Sequence, residues 1–165
     1  MKNIDSLVSD VIATAGGSLP GRVRLQKVFY LLQQLGLGTE LEYDYHHYGP
    51  YSADLADAVA EATELKLIEE SRNRRPDGVL YSVYSTTASP PAKVGDLDRS
   101  ASRNALEKMH GCSSTVMELA ATIHWLKFVE NEDDWRTELK RRKGVKTEAG
   151  RTERALELLK RLGLD

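Results

Sequence analysis

A single cysteine, Cys112, stands in a chain of 165 residues, so no internal disulfide can form. That composition fits a reducing compartment, and the cytoplasm is the expected location. No run approaches the roughly 18 apolar residues of a membrane helix. The opening MKNIDSLVSD interrupts its apolar pattern with acids, unlike the apolar region of a signal peptide. A large excess of charge of one sign is missing too. The net charge of −2 gives no overall attraction to nucleic acid, so such binding must rest on local patches. There is no G-x-S-x-G, no H-E-x-x-H and no phosphate-cradling glycine loop. His110 and Cys112 are neighbours but have no second pair at zinc spacing. His46 and His47 are adjacent, and on a strand they point to opposite faces. No metal, cofactor or catalytic set is therefore expected. Cys112, within HGCSS, reads as a structural thiol rather than an activated nucleophile.

What is present is a hydrophobic fraction of 41%, enough for a packed core, and a clear helical rhythm. Ile4, Leu7, Val8, Val11 and Ile12 mark a first helix with Asn3 as its cap and Gly16-Gly17 as its stop. Leu25, Val28, Phe29, Leu32 and Leu35 form one stripe of a second helix, ended by Gly36 and Gly38. Residues 41–48 alternate and are rich in aromatics, which predicts a strand. Proline has no N–H to donate, so Gly49-Pro50 is expected to end regular pairing there. Ser52 should cap a third helix that buries Leu55, Val59 and Ala62, with Asp54 in its first turn. Residues 67–71 and 79–85, joined by Pro76-Asp77-Gly78, predict a β-hairpin.

The expected fold is α+β and mostly helical. It has a winged-helix-like core over residues 1–87, a small antiparallel sheet, and C-terminal helices over residues 94–165 packed on it. ASPPAK joins the two parts of what should be one compact domain. The second part should hold helices over residues 96–109, 114–129, 133–143 and 147–162. The third of these is charged, with Trp135 and Leu139 as its anchors.

Two surfaces are candidates for binding. The hairpin tip carries Arg72, Arg74 and Arg75, like a wing reaching for phosphate. The third helix opposes that use. Asp54, Asp57, Glu61 and Glu64 recur at steps of three and four, so one face is acidic and works against counterion release. The basic run Lys140 to Lys143 ends a helix that starts with Glu132, Asp133 and Asp134, as the macrodipole favours. The other candidate is YDYHHYGPYS, which holds four of the seven tyrosines. Tyr43 and Tyr45 are expected against the second helix with their hydroxyls at the rim. Tyr48 and Tyr51 flank a turn and suit anchoring of a protein partner.

GRVRLQKVFYLLQ, YHHYGPYSADL and LKLIEE together resemble the Panacea domain, the SocA-like antitoxin family of bacteria and phages. The matching residues are Leu25, Lys27 and Tyr30, then Tyr48, Gly49 and Pro50 with Ser52 and Leu55 beyond, then Leu67-Ile68. Lys66 stands where that family commonly has glycine. The resemblance covers about residues 20–70. It implies a non-enzymatic antitoxin that binds a cognate toxin, or an adaptor that delivers it to a protease. The partner-binding residues would be Lys27, Tyr30, Tyr48, Gly49, Pro50, Tyr51 and Asp54. Lys27 and Tyr30, three apart on a helix, should frame the Gly-Pro corner. The alternative is a winged-helix transcriptional regulator that binds DNA through Arg72, Arg74 and Arg75.

Overall fold

The computed structural model describes residues 3–165; Met1 and Lys2, part of the stretch read against a signal peptide, lie outside it. Asn3 sits at the N-cap of α1 (Ile4–Thr14), although its side chain makes no capping bond. Helix α2 (Arg22–Gln34) is the most enclosed element: Val28, Phe29, Tyr30, Leu31 and Leu32 are all buried. Burying each such side chain stabilises the fold by about 1.5–3 kcal/mol before entropy, which places α2 at the centre. Helix α3 (Ala53–Glu64) is capped by Ser52, whose hydroxyl accepts from the Leu55 N–H, and it buries Leu55, Ala58, Val59 and Ala62 against α1.

Between α1 and α2 lies a strand that the periodicity did not reveal, β1 (Ser18–Pro20). It pairs with β5 (Leu80–Ser85), which also pairs with β4 (Glu69–Arg74), so the antiparallel sheet runs β1-β5-β4. Pro20 is tolerated because β1 is an edge strand. Helix, strand, helix, helix, strand, wing, strand is a winged-helix order. In place of a short helix before α3, the chain makes a separate two-stranded hairpin, β2 (Asp44–His46) and β3 (Gly49–Tyr51).

The C-terminal half is joined through β6 (Lys93–Val94) and β7 (Leu97–Asp98) to α4 (Arg99–His110). Asp98 caps α4, which therefore starts later than the expected residue 96. Helix α5 (Ser114–His124) continues into a π-helical segment, Trp125–Val129. Then come α6 (Trp135–Lys143), a short 3-10 turn (Gly144–Thr147) and α7 (Arg151–Leu162), which ends at left-handed Gly163. Met117, Leu119, Ala120, Ala121 and Ile123 of α5 are fully enclosed between α2 and α7. One hydrophobic cluster runs from Leu7 to Leu162, through both halves. Among the described residues, no helix is long and apolar enough to cross a membrane.

Candidate functional site

The expectation that Gly49-Pro50 would end pairing is overturned. Pro50 sits opposite Tyr45 in the hairpin, between the pairs His46–Gly49 and Asp44–Tyr51. The loop is only His47-Tyr48. Antiparallel pairs alternate between exchanging hydrogen bonds and not doing so, and the pair that flanks a two-residue loop exchanges them. Tyr45–Pro50 is then the pair that does not, so the missing N–H costs nothing. The Pro50 carbonyl faces outward and accepts from Lys27 Nζ at 2.6 Å.

Two buried lysines hold this corner. Lys27 is only 1% exposed. Burial pushes its pKa down to about 8; the charge of Glu118 offsets part of that, and Lys143 adds to it. Lys143 Nζ donates to the His47 carbonyl at 3.0 Å and pairs with Glu118 at 2.9 Å, both side chains being nearly inaccessible. Lys146 joins them, 3.1 Å from both Glu118 oxygens. Gln26 fixes the far end of β3: its amide accepts from Ser52 N–H at 2.8 Å and donates to Ser52 C=O at 2.9 Å. Gly49 takes φ +97°, and a Cβ there would lie 2.7 Å from Thr122 Oγ1. No other residue type fits this close approach to α5 without strain.

The tyrosines divide into interior and edge. Tyr30 is 1% exposed; its hydroxyl pairs with His124 Nδ1 at 2.8 Å, and its ring meets Tyr43 edge-on at 5.1 Å. Burial raises the pKa of both phenols and lowers that of His124 to about 4. Tyr45 leaves α2 and packs between Trp125 and Arg142. The hydroxyls of Tyr43 and Tyr45 are buried without a hydrogen-bond partner, not at the rim as expected. At the edge, Tyr48 is exposed, with Lys146 Nζ 4.9 Å over its ring. Tyr51 is half-buried and stacks on His46 at 4.6 Å.

Beside this edge a groove of about 590 Å³ opens between the hairpin, α2 and α3. Lys27, Tyr48, Gly49 and Tyr51 all line it, together with His46, His47, Ala56, Val59 and Ala60. So the structure brings four of the residues named from sequence into one place. Pro50 is buried behind them, Asp54 is exposed on the first turn of α3, and Tyr30 is interior, where it can act on a partner only through its neighbours. Asp57, Glu61 and Glu64 are exposed too, and no cation pairs with the four carboxylates among the described residues.

Glu118, Lys143, Lys146 and Thr122 escaped the reading from sequence. The available signal was a lone carboxylate in the mostly apolar MELAATIHWL, since a buried charge requires a partner. The basic run is less a helix-end effect than an ion-pair set. Arg142 grips Glu130 with two bonds of 2.7 and 2.8 Å and also bonds Glu138, while Arg141 bonds Glu138. On the wing, Arg72, Arg74 and Arg75 are exposed, but Arg75 is paired with Asp77 at 2.6 Å and Arg74 bonds the Gly78 carbonyl. The Cys112 thiol is half-buried against the Lys108 carbonyl, and burial raises its pKa, opposite to the activation a nucleophile needs. His46 stacks on Tyr51, whereas His47 meets Tyr48 edge-on.

No family model matches the chain. It is 29% identical over 119 residues to the uncharacterized protein YwgA of Bacillus subtilis (strain 168), an alignment that covers 71% of each chain.

Proposed function

We propose that this chain is a non-enzymatic protein-binding module of antitoxin type, docking its partner through the Tyr48–Tyr51 corner and the groove beside it. The partner is a cognate toxin, or a protein delivered to a protease, in the cytoplasm, as the likeness to the Panacea domain implies. The observation that carries this reading is the corner itself. An exposed aromatic turn is held rigid by two buried lysines at the mouth of an apolar groove, and rigid aromatic anchors are what protein interfaces use. Lys66 adds support: it takes φ +61°, the left-handed conformation that explains the glycine common at that place in the family. The test is a pull-down with the purified product of the neighbouring gene. Wild type should bind it, and the double change Tyr48→Ala with Tyr51→Ala should abolish binding. No binding by wild type, or equal binding by the variant, overturns the reading.

The winged-helix order and the arginine tip favour a second reading, a DNA-binding regulator. Against it, α3 would bring four unpaired carboxylates to the duplex, and Arg75 is already neutralised by Asp77. This reading requires a salt-sensitive gel shift that is lost when Arg72, Arg74 and Arg75 become alanine.

A further inference from the structure

Val23 and Leu25 of α2 and Ala56, Val59 and Ala60 of α3 give the groove its apolar walls. Its charged lining is Arg22, Glu70 and Lys27. Arg22 and Glu70 pair at 3.0 Å and cancel. Lys27 is left over. Its ammonium donates to the Pro50 carbonyl, which satisfies a hydrogen bond but carries no charge to offset it. The carboxylate whose charge reaches Lys27, that of Glu118, is already held by Lys143 at 2.9 Å and by Lys146 at 3.1 Å. Three ammonium groups thus share one carboxylate beneath the Tyr48 corner. Neither imidazoles nor phenols supply an anion at pH 7, so His46, His47 and the tyrosines of the wall do not change that sign. Asp54, Asp57, Glu61 and Glu64 do not line the groove. Asp57 and Glu61 are turned about 100° around α3 from Ala56 and Ala60. The uncompensated charge in the groove wall is therefore positive, and a buried charge without a counter-charge favours an incoming anion.

We infer that the groove takes an acidic, apolar segment of another polypeptide, whose apolar side chains pack on Leu25, Ala56 and Val59 while a flanking aspartate or glutamate supplies the counter-charge to Lys27. This rests on the protein-binding reading above and names the chemistry of the partner. The exposed Tyr48 ring extends the surface past the groove mouth, which suits a chain segment rather than a small acid. Charge complementarity of this kind selects between partners and speeds encounter.

Fluorescence anisotropy tests it with three labelled, end-blocked peptides of leucine with glutamate, glutamine or lysine. The glutamate peptide should bind the full chain at least about tenfold more tightly than the glutamine peptide, and the lysine peptide should bind most weakly. Lys27→Met, checked for folding by urea melt, should cut the preference for glutamate over glutamine to about twofold or less. Wild type alone gives a second readout. Raising the pH from about 7 to 9.5 discharges Lys27 and should weaken the glutamate peptide at least about fivefold, leaving the glutamine peptide unmoved. Equal binding of the glutamate and glutamine peptides, a preference that survives Lys27→Met, or glutamate binding indifferent to that rise in pH overturns the inference. Hexanoate that binds as tightly as the glutamate peptide overturns the polypeptide assignment and makes the groove a site for small acids. If the glutamate peptide fails while the neighbouring gene's product still binds wild type but not the Tyr48→Ala, Tyr51→Ala variant, this inference falls and the protein-binding reading stands. Peptide selectivity without capture of that product supports the ligand chemistry and overturns the antitoxin assignment.

Discussion

Replacing Lys27 by methionine separates the two things that this lysine does. Its ammonium is buried, and its pKa is lowered from 10.5 to about 8. Between those values the unfolded chain holds a proton that the folded chain has shed, so wild-type stability rises with pH. Below pH 8 both states are protonated, and charging the buried amine costs about 3 kcal/mol relative to its neutral form. From pH 7 to 9.5 the folded chain recovers about 2 kcal/mol of that. With a urea slope of about 1–3 kcal/mol per M, the midpoint should climb by about 1 M. Burial also raises the pKa of the Cys112 thiol and of the Tyr30 and Tyr43 phenols. Those groups pull the other way at high pH, but they are common to wild type and variant, so the difference between the two isolates Lys27. Methionine keeps most of the buried stem and removes both the charge and the bond to the Pro50 carbonyl, a bond worth about 1.5–3 kcal/mol. The two effects oppose, so at pH 7 Lys27→Met should lie within about 2 kcal/mol of wild type despite complete burial. Urea melts of both proteins at pH 7, 8, 9 and 9.5 (about half-unit control suffices) give the answer. Curves that stay parallel across that range would refute the account of Lys27 as a buried cation.

Other perturbations have equally definite outcomes. Glu118→Gln strands the buried Lys143 and should destabilise by about 3–5 kcal/mol in thermal melts, whereas Glu118→Met with Lys143→Met should recover most of the loss. Gly49→Ala places a Cβ on Thr122 Oγ1 at positive φ and should cost about 2–4 kcal/mol by urea melt; Thr122→Ala should restore part of it. Lys66→Gly relieves a left-handed lysine at φ +61° and should raise stability by up to about 1 kcal/mol in the same assay. His124, with its pKa lowered by burial from 6.5 to about 4, must stay neutral in the folded chain, so stability should fall by about 3 kcal/mol as pH drops from 6.5 to 4. That loss should shrink in His124→Gln.

The parts of the fold that were legible in the sequence had strong periodicity or local chemistry. The α2 stripe, the Ser52 cap and the Pro76-Asp77-Gly78 turn each have a cause within a few residues. What stayed hidden depends on distant partners. Strand β1 is three residues with a proline and no alternation, and β5 alone makes it a strand. Pro50 looked like a terminator because its pairing position depends on a register that only the loop length sets. The basic run Lys140 to Lys143 suited a helix end, yet Lys143 turns inward to a carboxylate on another helix. Around the candidate site, the residues that form the surface were visible as aromatics at a turn. The buried charges that hold that turn in place were not, because lysine and glutamate are usually exposed.

Hydrogen exchange on the chain, alone and with the neighbouring gene's product bound, probes the docking edge most directly. New protection should be confined to His47–Tyr51 and to the Ala56–Glu61 part of α3, with the wing at residues 72–79 exchanging as before. Protection on the wing instead, or none at the hairpin corner, would contradict the central claim.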